Sequence, residues 1–411
     1  MLSESILIVA YHFPPVAGSS GLHRMVSLSR ELLQAGYRVH VLSVSLNCYP
    51  RVEEANLAQL PDGVRVHRVG AFDSVKLCSI AGKYPSFLKI PDNFQSWIVT
   101  GVWQGLRLVR RERIKWVLST YPIASAHCVG YFIGRWSSAR WIADFRDPMA
   151  QPDYPTLPLQ RRAFVWIERR AVAHASLLTF ATSGALDYYR GNYPELSSER
   201  CLAINNGYDE CLFTGLETGP GTSRQKLLLH SGALYPSERD PTQLFEALAA
   251  LKAPLLARGY RVRLRATGHD DFVTGQIARF GLDGLVELAP LVSNREALQE
   301  MARAYGLLVL QAANCNDQIP AKIYEYLRSQ RAIACFAHPA GATYRALDGQ
   351  PGCWCAPLDD SGAIQATLRE ICLENDLSDY SRELDSVVGF ERGAQLRPLI
   401  EWLESNQQQK P

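Results

Sequence analysis

The stretch "NCNDQIPAKIYEYLRSQRAIACFA" places an acid, a base and a helix start within a dozen residues. Proline suits the first position of a helix, where its missing N–H is not needed, so Pro320 puts Lys322 and Glu325 in the first turns of a helix. Asp317 falls in the loop before it. Lys322 and the positive helix terminus together can neutralise a diphosphate, and the Glu325 carboxylate can accept hydrogen bonds from a ribose. The same spacing also fits an ordinary i, i+3 surface pair worth ~0.2–0.5 kcal/mol. A second candidate is the loop "YHFPPVAGSSGLHR", Tyr11 to Arg24, directly after the apolar run "ILIVA". Glycines let a backbone close on a ligand, and the N–H groups of a helix start favour an anion such as phosphate. Gly18 and Gly21 are the close-approach points and Arg24 lies one turn into the helix. A plain tight turn explains the loop equally well, because neither a GxGxxG nor a Walker sequence is present.

These residues must be positioned by strands and helices, and the periodicity supplies them. "SILIVAY" reads as a buried strand. "LHRMVSLSRELLQAG" sets Leu22, Met25, Val26, Leu32 and Leu33 on one helical stripe ending at Gly36, and "YRVHVLSV" is a strand again. Strand, helix, strand in that order is the unit of a parallel sheet. "GVRVHRV", "KWVLSTYP", "ARWIADFRDP", "ASLLTFATS" and "CLAINNG" continue the series. After a Gly-, Thr- and Ser-rich stretch, "KLLLHSGALY", "YRVRLRATG", "LVELAPL", "GLLVLQAA" and "AIACFAH" begin another. The pattern predicts an α/β protein of two doubly wound Rossmann-like domains facing each other across a cleft. Residues 1–207 form the first domain, 208–224 a linker and 225–389 the second, with a C-terminal helix at 390–411 packing back on the first.

Length and composition agree. A chain of 411 residues, 47% hydrophobic and 20% charged, is that of a globular protein too large for one core. No apolar run reaches membrane-span length, and the N-terminus lacks a basic leader, so a cytoplasmic location is expected. The ten cysteines are scattered, and Cys353 and Cys355 lack metal-ligand spacing, so they read as reduced thiols. The net charge of +2 conceals an asymmetry: residues 1–180 hold 21 Lys and Arg against 12 Asp and Glu, the remainder 22 against 29. The excess is densest at 101–118, "GVWQGLRLVRRERIKWVL", flanked by Trp103 and Trp116. This stretch can rest on an anionic membrane surface, or it can be a solvated helix face. No nucleic-acid motif accompanies the charge.

Taken together, the motifs resemble glycosyltransferase family 4, the retaining nucleotide-sugar enzymes of GT-B fold. The resemblance rests on Asp317 and Glu325 with seven residues between them and on "P-x-K-x-Y-E-Y-L" from Pro320 to Leu327. It rests also on "PPVAGSSGLHR", "GYRVHVLSV" and "HSGALYPSERDP". "DFRDP", Asp144 to Pro148, is similar to a bacterial subgroup that assembles cell-surface polysaccharides and related glycoconjugates. The chain departs from the family in having Asp317 where Glu is usual, and Ala233 where an Arg often follows the glycine, here Gly232, of the donor strand.

The resemblance implies a nucleotide-sugar donor held by residues 225–389 and a glycan or lipid-linked acceptor on the side of residues 1–207; the basic stretch at 101–118 adds the expectation of a protein peripheral at the inner face of the cell membrane. Glu325 would hold the donor ribose and Asp317 the donor sugar's hydroxyls, and Arg239 would match the family's phosphate-binding Lys. Arg146 and Asp147 fall near the position of a His that faces the acceptor; a buried ion pair bracing the site is their alternative. His127 is a weaker candidate, more simply read as structural. No cofactor and no metal are expected: the chain has no Asp-x-Asp, and Arg239 and Lys322 would take the place of Mg²⁺. The alternatives are a nucleotide-sugar epimerase or hydrolase of the same fold, and a non-catalytic sugar-nucleotide-binding scaffold.

Overall fold

The computed structural model describes residues 4–16, 20–79, 83–152, 154–219, 225–375, 377 and 380–406. The chain divides into two compact units, Met1–Asn205 with Gln395–Pro411, and Asn206–Ala394.

The first unit holds a seven-stranded sheet of β1 (Ser5–Val9), β2 (Arg38–Val44), β3 (Arg65–Val69), β4 (Ile114–Thr120), β5 (Arg140–Arg146), β6 (Leu177–Phe180) and β7 (Cys201–Ala203). Their order is β3-β2-β1-β4-β5-β6-β7 with every pair parallel. The helices used below are α1 (Ser20–Gln34), α2 (Ser74–Cys78), α3 (Ser96–Glu112), α4 (Ala124–Trp136) and α5 (Pro158–His174). β1 is buried at every position, as a central strand covered on both faces requires. α3 lies tightly on α4, because Gly101 and Gly105 bring its backbone against Val129 and Ile133; a Cβ at Gly105 would fall 2.2 Å from Ile133 Cδ1. A C-terminal helix, Arg392–Ser405, sends Leu396, Leu399 and Leu403 into the same core. Trp116, expected beside the basic stretch as a surface anchor, is instead buried. It packs 5.3 Å from the Trp402 ring, with the Arg140 guanidinium 4.4 Å over its face. It belongs to β4, whose alternation turns it inward, whereas Trp103 is on the outer face of α3.

The second unit repeats the arrangement with β8 (Lys226–Ser231), β9 (Tyr260–Arg265), β10 (Val286–Ala289), β11 (Gly306–Gln311), β12 (Ala332–Ala337) and β13 (Cys353–Ala356), ordered β10-β9-β8-β11-β12-β13 and all parallel. β13 lies in a segment the sequence pattern did not mark as a strand; its four residues are too few to show a period. Part of the expected linker is also structured. Glu210–Phe213 is a helical turn of this unit, and Glu210 accepts two hydrogen bonds from Arg328. In both sheets the strand order reverses beside the first strand, between β1 and β4 and between β8 and β11. Open α/β sheets bind ligands outside the carboxyl ends of the strands at such a point.

Candidate active site

The carboxyl end of β8 gathers a histidine, a lysine, an arginine and a carboxylate. His230 is fully buried; its Nδ1 lies 3.0 Å from the Leu308 carbonyl and its Nε2 3.1 Å from Lys322 Nζ. Burial and the neighbouring Lys322 push His230 well below its usual range, so it is neutral. Nδ1 then donates to Leu308, and Nε2 accepts from Lys322. Lys322 also donates to the Ser231 carbonyl at 3.2 Å, which leaves one of its three N–H groups unassigned. Burial and the nearby Arg239 lower the Lys322 pKa well below its usual value. Gly232 has φ +115, open to glycine alone, and a Cβ there would sit 3.8 Å from Lys322 Nζ. Its backbone therefore passes beside the Lys322 nitrogen.

Two further groups belong to this cluster. Arg239 donates to the Ala233 carbonyl at 3.1 Å, its guanidinium carbon stands 5.6 Å from the Tyr235 ring centroid, and its buried Nε has no hydrogen-bond partner. Its loop is tied to the end of β11 by Ala312 N–H to the Glu238 carbonyl and by Asn314 to the Ser237 carbonyl. Glu325 lies one turn beyond Lys322 in the helix Lys322–Arg328, and among the described residues its carboxylate has no hydrogen-bond partner. Burial pushes Glu325 up to about 7; Asp209 adds to the rise, and Arg392 and Lys322 oppose it. Tyr326 fixes the helix by accepting from the Ser231 N–H at 2.9 Å. Asp317 is exposed in the loop after β11, a loop that Gln311 shapes by donating to the Cys315 and Gln318 carbonyls.

At the β1/β4 switch point of the first unit, Tyr11, His12, Gly21, Thr120, Tyr121 and Arg146 line a narrow recess of about 10 Å³, room for about one water. Gly18 lies outside the described residues. Arg24 does not face this space as a free phosphate ligand. It is buried, paired with Asp144 at 3.1 Å, and donates to the Ile204 and Asn205 carbonyls. Asp144 also accepts from Thr120 and Thr179 at 2.8 and 2.7 Å. Burial alone would raise the Asp144 pKa, but Arg24 and these bonds hold it below the usual carboxylate range. The buried pair is thus Arg24–Asp144, and Arg146 and Asp147 form no ion pair with each other.

Arg146 is held at φ +64, an uncommon conformation for a side chain of this size. It donates to the Tyr121 carbonyl at 3.3 Å, and its buried Nε has no partner. Burial raises the Asp147 pKa despite Arg146 and Arg24. His12, pushed down to about 4 by burial and Arg146, is a neutral imidazole beside them. His127 is buried with Nδ1 2.8 Å from Ser119 Oγ, one turn into α4 and within the core.

The comparisons bear on this geometry. Residues 21–207 match the family model of the glycosyl transferase 4-like domain. No curated protein matches the chain. Among solved structures, a glycosyltransferase from Rickettsia africae superposes with a TM-score of 0.72 at 13% identity, covering 100% of both chains. A sucrose-phosphate synthase from Thermosynechococcus elongatus gives 0.70 at 13% identity, over 98% of this chain and 100% of that one. A UDP-forming trehalose-phosphate synthase from Burkholderia xenovorans, solved with glucose-6-phosphate, gives 0.67 at 13%, again over 98% and 100%. The fold is GT-B, with the glycosyl transferase 4-like match in the first unit.

Within that fold, Gly232, Arg239, Lys322 and Glu325 surround one end of β8, while Gly21, Arg146 and Asp147 lie at the carboxyl edge of the first sheet. Sequence reasoning missed His230 and His12. The available signal was the same for both: a histidine at the end of the apolar run that forms the first strand of its sheet.

Proposed function

We propose that the chain is a retaining glycosyltransferase that moves a sugar from a nucleotide-sugar donor to a hydroxyl acceptor, a glycan or lipid-linked precursor. The observation that carries this reading is the cluster at the end of β8. Two cations and one carboxyl there have hydrogen-bonding capacity that the protein leaves unused. A nucleoside diphosphate matches it: phosphate oxygens for the free N–H groups of Lys322 and Arg239, ribose hydroxyls for Glu325, and donor-sugar hydroxyls for Asp317. The glycosyl transferase 4-like match and the UDP-forming neighbour support the same donor class.

In the reaction proposed, the bond between the anomeric carbon and the phosphate oxygen breaks as the acceptor oxygen bonds to that carbon on the same face. The acceptor's proton passes to a departing phosphate oxygen. Negative charge grows on the diphosphate, so fixed cations aimed at it lower the barrier without a metal ion. Arg146, Asp147 and the neutral His12 are assigned to the acceptor, and the reading places the protein in the cytoplasm.

The experiment is calorimetric titration with UDP, GDP, ADP and dTDP, followed by Lys322→Ala and Arg239→Ala with the nucleotide that binds. Each variant should lose ~1.5–3 kcal/mol of affinity, the range for hydrogen bonds to charged groups. Product analysis with and without acceptor separates transfer from epimerisation or hydrolysis. Unchanged affinity in both variants, or turnover abolished by a chelator, would refute the reading.

A further inference from the structure

The first unit exposes large apolar side chains in one neighbourhood, at the carboxyl edge of its sheet. Phe72, Leu77, Phe87, Val99 and Trp103 are between 51% and 75% exposed. They come from three short pieces of chain that hydrogen bonds hold together. The Phe72 backbone N–H and carbonyl both bond Ser96 Oγ at 3.0 Å at the start of α3, and Thr100 donates to the Gly70 carbonyl at 2.7 Å. Ser74, opening α2, donates its N–H to the Asn93 carbonyl at 2.8 Å, and Gln95 reaches the Phe87 carbonyl at 3.4 Å. Monomeric proteins seldom leave such a group uncovered without a partner.

The charges nearby identify the partner. On α3, Val99, Trp103 and Arg107 follow at i, i+4 and i+8 on the outer face, with exposed Arg110 beyond them, while Gly101 and Gly105 face α4. At 1.5 Å per residue, Arg107 stands about 12 Å along the axis from Val99. Its guanidinium lies 4.6 Å from the Trp103 ring centroid. Lys76 on α2 is exposed, and Lys89 stands 5.1 Å from the Tyr84 ring centroid. An apolar tip, a tryptophan behind it and a cationic band one to two turns further back match the acyl boundary, interface and anionic headgroups of a bilayer, where interfacial segments bury their apolar face ~5–10 Å deep. Among the described residues no helix is long and apolar enough to cross a membrane, so this contact is peripheral.

We propose that Phe72, Leu77, Phe87, Val99 and Trp103, backed by Arg107 and Arg110, form a docking face for an anionic membrane surface. The face adjoins the recess of the first unit: the Tyr11 ring that lines it lies 4.3 Å from Phe94 and 5.7 Å from Trp97 at the head of α3.

The test is cosedimentation of the full chain with vesicles of phosphatidylcholine alone and of phosphatidylcholine containing a quarter phosphatidylglycerol. Wild type should partition onto the anionic vesicles alone. Each cation is worth about fivefold in partitioning, so Arg107→Ser with Arg110→Ser should weaken it roughly 25-fold. Leu77→Ser with Phe87→Ser and Trp103→Ser should abolish it. These side chains are exposed, so unchanged melting temperatures will show that the variants fold. No donor or acceptor enters the assay, so its result stands apart from the assignment of the β8 cluster. Equal partitioning of wild type and variants, equal binding to both vesicle types, or concentration-dependent self-association that the apolar variant removes in the absence of vesicle binding would overturn the proposal.

Discussion

Glu325→Gln should change how stability depends on pH, in a direction the structure fixes. Burial raises the Glu325 carboxyl from 4.5 to about 7. Between those values the folded protein keeps a proton that the unfolded chain has released, so stability falls as pH rises. The contribution is fully present below pH 4.5 and lost as pH passes through 7. At about 1.4 kcal/mol per pH unit, the interval amounts to about 3 kcal/mol. Gln keeps the shape and cannot ionise, so the variant should lack this fall: similar to wild type near pH 4.5, and about 3 kcal/mol more stable above pH 7.5. Urea unfolding of the full chain across that range measures it, provided the transition of the second unit is followed separately, since two units need not unfold together. A variant-to-wild-type difference that stays constant with pH would refute the reasoning. Stability gained by removing the carboxylate, together with weaker nucleotide binding, is expected of a group kept unsatisfied for a ligand.

Two other substitutions probe the first unit. Arg24→Met should cost about 3–5 kcal/mol by stranding the buried Asp144, and adding Asp144→Leu should recover most of it; a urea midpoint for the single variant close to wild type would contradict the bracing role. Arg146→Gly should relieve the left-handed backbone and raise stability by about 1 kcal/mol while lowering turnover, with nucleoside diphosphate affinity unchanged; wild-type turnover in that variant would remove Arg146 from the acceptor site.

The parallel α/β character was legible because central strands covered on both faces, such as "SILIV" and "GLLVLQ", read as unbroken apolar runs. Lys322 and Glu325 were legible because Pro320 announces a helix start. The order of the strands was not, since it depends on which edges meet and not on any local period. The role of Arg24 was hidden for a related reason: its partner Asp144 is 120 residues away, and only the pairing of β1 with β4 and β4 with β5 brings them together. Trp116 misled because a tryptophan beside five cations looks like an interfacial anchor until its strand turns it inward. His230 and His12 were overlooked because nothing in their own segments shows that each strand end lies at a switch point.

The contrast between the two units' charged clusters is itself an argument about where ligand is held. In the first, Asp144 receives Arg24, Thr120 and Thr179 together and Arg24 spends two further donors on carbonyls, so this pair is largely satisfied within the protein, and the unpartnered group beside it is the Arg146 Nε. Buried charge arranged in this way fixes geometry. In the second, Arg239 keeps a buried Nε without a partner, Lys322 an N–H that neither His230 nor Ser231 takes, and Glu325 a carboxyl raised by burial with no hydrogen bond to lower it. Buried groups left unsatisfied cost stability, and a native protein keeps several together only where something else completes them. That arrangement lies on the strand end where the sheet order reverses, and the groups missing from it are anionic oxygens for the cations and hydroxyls for the acid. A sugar nucleotide carries both on one molecule.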